Sequence, residues 1–235
     1  MAPSSSALPS SSSPPSAGSS SSAALPKVIY LDAFGTLFGV KGSVGELYSS
    51  LARTAQVNTD PQAVNRAFYQ SFAASERLAF PDASPAAIPE LEYRWWKVIV
   101  SETFDRVGAL EKFEDFDMFY AGLYGYFETS APWRVYPDTL TSLRRWQSMG
   151  IELGIISNFD SRLYRVLSVL GLADYFKSVT ISTEVGAAKP SAKIFQAALA
   201  KHACGAHEAW HIGDSEAEDY AGAQALGMRA ILLAR

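Results

Sequence analysis

The most constraining feature of this chain is a run of short apolar stretches, each stopping at a polar residue. Val28-Ile29-Tyr30-Leu31 stops at Asp32, Ile151-Glu152-Leu153-Gly154-Ile155-Ile156 at Ser157, and Ala209-Trp210-His211-Ile212-Gly213 at Asp214. Ser178–Ser182 and Ala230–Leu233 read as two further strands. Helical patterns lie between them over 138–149, 162–170, 191–201 and 217–226, three of these closed by Gly150, Gly171 and Gly227. Strands that alternate with helices in this way build a parallel sheet covered on both faces. The expected class is therefore α/β with a doubly wound parallel sheet.

Between the first strand and the rest, residues 41–130 show no alternating pattern and read as helical. Ser43 with Glu46 three positions on is a capping-box signature for a helix over 43–56. Asp60-Pro61 supplies an N-cap and a first-turn proline for a helix over 60–78. A loop with three prolines covers 81–89, and helices are expected over 90–107 and 116–127. The division expected is a core of 27–40 and 131–235 with a helical insertion at 41–130. Residues 1–26 are almost entirely Ser, Ala and Pro without a charged side chain, which predicts a disordered tail.

Composition narrows the function. Twenty basic against 24 acidic residues leave a net charge of −4, which argues against a nucleic-acid partner. No apolar run approaches the roughly 18 residues that would predict a membrane-spanning helix. The tail has neither the basic start of a secretory signal nor the arginines of a transit peptide, so the cytoplasm is the default location. With one cysteine, Cys204, and three histidines, a disulfide framework or thiolate zinc site is excluded. Cys204 reads as an inert thiol. His211, inside a strand, reads as a hydrogen-bonded core residue, and His202 and His207 as exposed.

In an open parallel sheet, ligands bind beyond the carboxyl ends of the strands. Asp32, Ser157-Asn158 and Asp214 are delivered to that edge by three strands, and Lys189-Pro190 and Asp219 lie in segments that can reach it. Crowded carboxylates are unfavourable without a cation. Oxygen donors of this type suit Mg²⁺, and with a lysine and a serine they fit phosphoryl transfer.

These residues resemble the four motifs of the haloacid dehalogenase-like hydrolase superfamily. They are Asp32-Ala33-Phe34-Gly35-Thr36-Leu37, Ser157-Asn158, Lys189-Pro190, and Gly213-Asp214-Ser215 with Asp219. The place of the insertion matches the C1-cap, subfamily IA arrangement, and Ser157-Asn158-Phe159-Asp160-Ser161-Arg162-Leu163 is similar to the branch named after a rhythmically expressed gene. The resemblance implies a Rossmann-like core, Mg²⁺ and a small phosphorylated metabolite as substrate. It makes Asp32 the nucleophile that becomes an aspartyl phosphate. Asp32, the Phe34 backbone carbonyl and Asp214 would ligate the metal, and Asp219 would support it or Lys189. Ser157 and Lys189 would hold the phosphoryl group, with Thr36 and Asn158 adding hydrogen bonds.

Phe34 departs from the phosphatase pattern, in which an aspartate at this place protonates the leaving group and later activates water. Glu46, Asp160 and Glu184 are candidates to replace it. An aromatic residue here also occurs in 2-haloacid dehalogenases, which need no acid but lack the Gly-Asp of motif four. Phosphonoacetaldehyde hydrolases would use an insertion lysine, for which Lys97 and Lys112 are available. A phosphometabolite-binding protein with lost or weak turnover is the remaining alternative. Arg53, Arg66, Arg94 and Arg134 are candidate distal anion sites. The aromatic-rich insertion reads mostly as core packing, with one or two rings toward a substrate.

Overall fold

A computed structural model describes residues 25–235. The expectation of a disordered tail falls on residues 1–24, outside the described residues, apart from Leu25 and Pro26.

The first strand, β1 (Val28–Leu31), is followed by a turn and a short β2 (Phe38–Val40). Four helices come next: α1 (Val44–Thr54), α2 (Pro61–Ala74), α3 (Ile88–Arg106) and α4 (Phe116–Tyr126). The chain returns through β3 (Trp133–Val135), α5 (Thr139–Ser148), β4 (Glu152–Ser157), α6 (Arg162–Val169) and β5 (Ser178–Ile181). It ends with α7 (Ser182–Val185), α8 (Ala192–His202), β6 (Ala209–Gly213), α9 (Gly222–Ala225) and β7 (Arg229–Leu232).

The main sheet has the order β5-β4-β1-β6-β7, and every pairing in it is parallel. Successive side chains of a strand face opposite ways, so a doubly covered strand has no polar face. Ile29, Leu31, Leu153 and Ile155 pack with Leu143 of α5 and Leu163 and Val166 of α6. Val28, Tyr30 and Ile156 pack on the other side with Ile194, Phe195 and Ala198 of α8 and Ala223 of α9. The chain runs outward from β1 through β4 to β5, then crosses to β6 and β7. The reversal at β1 opens a crevice above its carboxyl end, the usual ligand position in such sheets.

The helical block has a core of its own, centred on Tyr48, Val64, Phe68, Ile99, Phe104 and Tyr120. Its first helices begin as their sequences dictate. Ser43 and Glu46 exchange both bonds of a capping box, at 2.8 and 3.1 Å. Asp60 accepts from the amides of Gln62 and Ala63, at 3.1 and 3.2 Å. The block hangs from an antiparallel ribbon in which Phe38 faces Val135 and Val40 faces Trp133.

Polar contacts join the block to the sheet domain. Trp96 Nε1 of α3 donates to Asp160 Oδ2 at 2.6 Å. Glu92 accepts from the amide of Ser161 at 2.9 Å and from its hydroxyl. Arg162 pairs with Asp160 at 2.6 Å, and its guanidinium lies 3.8 Å from the centre of the Tyr124 ring.

The structure differs from the sequence expectations at four places. The ribbon strands, three residues each, are too short to show an alternating pattern. The short helix α7 follows β5 directly and was not expected. The helix expected over 217–226 opens with a π-helical turn, Glu216–Ala221, before α9. His202 is buried, not exposed: its Nδ1 lies 2.6 Å from Glu152 Oε2 and its Nε2 2.7 Å from Ser178 Oγ. Those two partners satisfy its polar atoms, which is the condition for burying an imidazole. No helix among the described residues is long and apolar enough to cross a membrane.

Candidate active site

Above the carboxyl end of β1, carboxylate oxygens of Asp32, Asp214 and Asp219 lie within 4.8 Å of one another. Two glycines make that crowding possible. Gly35 has φ +84°, and a Cβ there would fall 2.3 Å from Asp214 Oδ2. A Cβ on Gly213 would fall 2.1 Å from Asp219 Cγ. The π turn aims Asp219 inward. The Tyr220 amide reaches back five residues to the Ser215 carbonyl at 3.1 Å, and Asp219 Oδ2 accepts from the Ser215 amide at 3.1 Å. Wide turns of this kind are frequent at functional sites.

Lys189 is buried and bridges two of the carboxylates. Its Nζ donates to Asp32 Oδ1 at 2.6 Å and to Asp219 Oδ1 at 2.5 Å. Behind it, His211 Nε2 lies 2.8 Å from Asp219 Oδ1. Asn158 fixes the lysine's backbone: its Oδ1 accepts from the Lys189 amide at 2.7 Å and its Nδ2 donates to the Lys189 carbonyl at 3.1 Å.

The electrostatics follow from burial and pairing. Burial pushes the Asp32 carboxyl up to about 6 against the opposing pull of Lys189. Burial also raises Asp214. For Asp219 burial acts upward too, but the His211 hydrogen bond and Lys189 outweigh it and hold its carboxyl well below the usual range. Burial would lower Lys189, yet Asp32 and Asp219 keep it raised and therefore charged. Burial lowers His211, which keeps the imidazole neutral. One lysine thus opposes three aspartates, and this donor set of hard oxygens fits a hard divalent cation.

The cluster forms one end of a cavity of about 670 Å³ between the sheet edge and the helical block. Ser157, Asn158, Lys189, Asp214 and Asp219 line it together with Asp32 and Phe34. Thr36 does not. Its hydroxyl donates to Asp214 Oδ1 at 3.2 Å and so orients that carboxylate.

The profile of the haloacid dehalogenase-like hydrolases matches residues 26–227. The chain is a haloacid dehalogenase-like hydrolase. It is 33% identical over 208 residues to the mouse haloacid dehalogenase-like hydrolase domain-containing protein 3, covering 88% of this chain and 82% of that one. It is 37% identical over 101 residues to a glyceraldehyde 3-phosphate phosphatase of Methanothermobacter thermautotrophicus, over 43% of this chain and 45% of the relative. A crystal structure of a haloacid dehalogenase-like phosphatase from Thermococcus onnurineus superposes with a TM-score of 0.61 at 25% identity, covering 89% of this chain and 86% of that one.

Within this hydrolase, several sequence candidates stand away from the cavity. Glu46 is spent in the α1 capping box. Asp160 is enclosed by Arg162 and Trp96, and Glu184 accepts from Tyr164 at 2.8 Å. None of the three reaches the cavity, whose further carboxylates are Glu76 and Glu218. Arg53, Arg66 and Arg134 are exposed elsewhere, and Arg94 pairs with Glu90 at 2.6 Å. The cavity arginines are Arg77 and Arg162 instead. Lys97 pairs with Asp117 at 2.7 Å, and neither it nor Lys112 lines the cavity. More rings reach the cavity than the sequence suggested, because the insides of α2, α3 and α4 all converge on it. His211 was read as core; its contact with Asp219 depends on the π turn, which no sequence pattern announced.

Proposed function

We propose that this hydrolase is a Mg²⁺-dependent phosphatase acting on a small phosphorylated metabolite. The carrying observation is Lys189, charged and buried, held between Asp32 and Asp219 beside a third carboxylate at the end of a cavity. The names of the archaeal relatives, both phosphatases, support the same chemistry. Residues 41–130 act as a cap over a core of 27–40 and 131–235.

Asp32, Asp214 and the Phe34 backbone carbonyl would hold the cation. Bound there, it would neutralise the crowded carboxylates and shield the charge on the phosphoryl oxygens. Asp32 is the nucleophile, and attack forms an aspartyl phosphate that water then cleaves. Lys189 and Ser157 bind the transferring group, and preorganised donors of this type stabilise developing charge without reorganising. Asp219 and Asn158 are positioning residues for Lys189. Thr36 positions Asp214.

Phe34 favours one second reading, a phosphometabolite-binding protein whose turnover is lost. The dehalogenase reading shares the aromatic residue at position 34, and the Asp214 carboxylate in the cluster counts against it. Hydrolysis of p-nitrophenyl phosphate with and without Mg²⁺ decides between them. Its leaving group needs little acid help, so Phe34 does not mask turnover. Mg²⁺-dependent hydrolysis that disappears in Asp32→Asn is expected. No turnover, with beryllofluoride still bound in the presence of Mg²⁺, would leave the binding protein.

A further inference from the structure

We infer that the phosphate ester cleaved here carries an aromatic alcohol, so that the substrate is an aryl phosphate and not the ester of a sugar or glycerol. The inference rests on the phosphatase reading and narrows it.

The cavity's chemistry is the first ground. At about 670 Å³ it is sized for a ligand well beyond a phosphate group. Away from the aspartates its wall is built of rings, among them Phe72, Trp95, Trp96, Tyr120, Phe127 and Trp133. Their polar atoms are turned to the protein. Trp95 Nε1 donates to the Glu76 carbonyl at 3.1 Å and Trp133 Nε1 to the Phe127 carbonyl at 3.1 Å. Trp96 Nε1 donates to Asp160 at 2.6 Å, and the Tyr120 hydroxyl to the Tyr93 carbonyl at 2.5 Å. Arg162 also lines the cavity, but Asp160 occupies its guanidinium. These six rings therefore offer carbon faces, and Tyr48, Tyr69 and Tyr124 join the ring wall. A polyol lying against these six would leave hydroxyls unpaired, at about 1–3 kcal/mol each. A flat aromatic group gains from ring contacts.

The missing proton donor is the second ground. Phe34 faces the cavity, 41% exposed, where the phosphatase pattern has its acid. Of the two further carboxylates, Glu218 already accepts from Asn158 at 2.9 Å and stands 4.0 Å from Arg77, and Glu76 is exposed, where solvent competes for it. An alcohol that leaves from this site lacks the acid that the phosphatase pattern supplies at position 34. A phenol ionises near ~10, as tyrosine does, and water only near ~15.7. An aryloxide therefore leaves unaided where an alkoxide does not.

The step balances without an acid. An Asp32 oxygen bonds to phosphorus as the bond from phosphorus to the aryl oxygen breaks. The electron pair departs on the aryloxide, which takes a proton from solvent. Water then attacks phosphorus, the bond to Asp32 breaks, and inorganic phosphate leaves with the carboxylate restored.

Two measurements on the full chain with Mg²⁺ test this. In the first, kcat/KM for 2-naphthyl phosphate should exceed that for glycerol 3-phosphate at least ~10²-fold, the lower range of what acid–base help is worth. Phe34→Asp should narrow the gap by raising the glycerol ester. In the second, calorimetry should show benzylphosphonate binding at least ~10-fold tighter than methylphosphonate, from burial of the ring. Hydrolysis of both esters within a few-fold, or equal phosphonate affinities, would overturn the inference and leave the phosphatase standing. Hydrolysis of neither ester would overturn the phosphatase reading, and the inference with it.

Discussion

Phe34 and Asp32 stand two residues apart, and their different surroundings set different expectations. Phe34 lends no proton and accepts none, so both halves of the proposed reaction run without an acid or base at that position. An aryl phosphate escapes the loss in the first half only. Stopped-flow mixing with p-nitrophenyl phosphate should therefore show a burst approaching one equivalent of phenol per site, followed by slower turnover. Phe34→Asp should abolish the burst and raise kcat by about 10²-fold or more. Asp32 makes the second prediction. Burial raises its carboxyl to about 6, so below that pH a proton occupies the oxygen a cation needs. Mg²⁺ affinity should accordingly be weaker at pH 5 than at pH 7.5, by up to about tenfold per pH unit below 6. Calorimetric titration at the two values checks the sign, and equal affinities would mean that Asp32 does not bind the ion. Asp32 and Asp214 were legible in the sequence because an apolar run that stops at an aspartate marks a strand end. The acid's absence was legible too. Its replacements were not: the capping box already spoke for Glu46, while the partners of Asp160 and Glu184, Trp96 and Tyr164, lie far off in sequence and meet them only on folding.

At the scale of elements, what was legible depended on length. A strand buried on both faces leaves a continuous apolar run, and β1, β4 and β6 stand close to where those runs predicted. Capping signatures placed the starts of α1 and α2 to within a residue. Asp60→Ala should accordingly cost about 0.5–2 kcal/mol of stability, read from urea unfolding, as the amides of Gln62 and Ala63 lose their acceptor. Interactions remote in sequence left no such trace. Asp160 was read as a candidate acid, yet it is the buried partner of Arg162 and the acceptor for Trp96. Asp160→Ala would leave a buried guanidinium without its counter-charge, and the expected loss is about 3–5 kcal/mol. The same urea unfolding measures it, and a loss below 1 kcal/mol would show that the guanidinium finds water. The π turn was illegible for a related reason. Its one extra residue is fixed by the approach of Asp219 to Gly213 and Lys189, which is a tertiary contact.

For the whole molecule, the sequence showed two compositions and the structure shows how they meet. The helical block closes over the sheet edge so that three of the five tryptophans, Trp95, Trp96 and Trp133, line the cavity. Filling the site with Mg²⁺ and beryllofluoride should therefore change the intrinsic fluorescence. The change should persist in Trp146→Phe, which lies outside the cavity, and shrink in Trp95→Phe. A signal that vanished with Trp146 would place the ligand elsewhere. The ribbon beneath the block has a different consequence. Because Val40 lies opposite Trp133, the chain departs from the sheet domain and comes back at neighbouring points, about 5 Å apart as paired strands are. Such a junction asks of a spliced segment only that it close the ribbon and meet Asp160, Ser161 and Arg162 as Trp96, Glu92 and Tyr124 do. A cassette from a relative that meets those contacts could be grafted between these two residues, exchanging the rings of α2, α3 and α4 while Asp32, Asp214 and Asp219 stay in their frame.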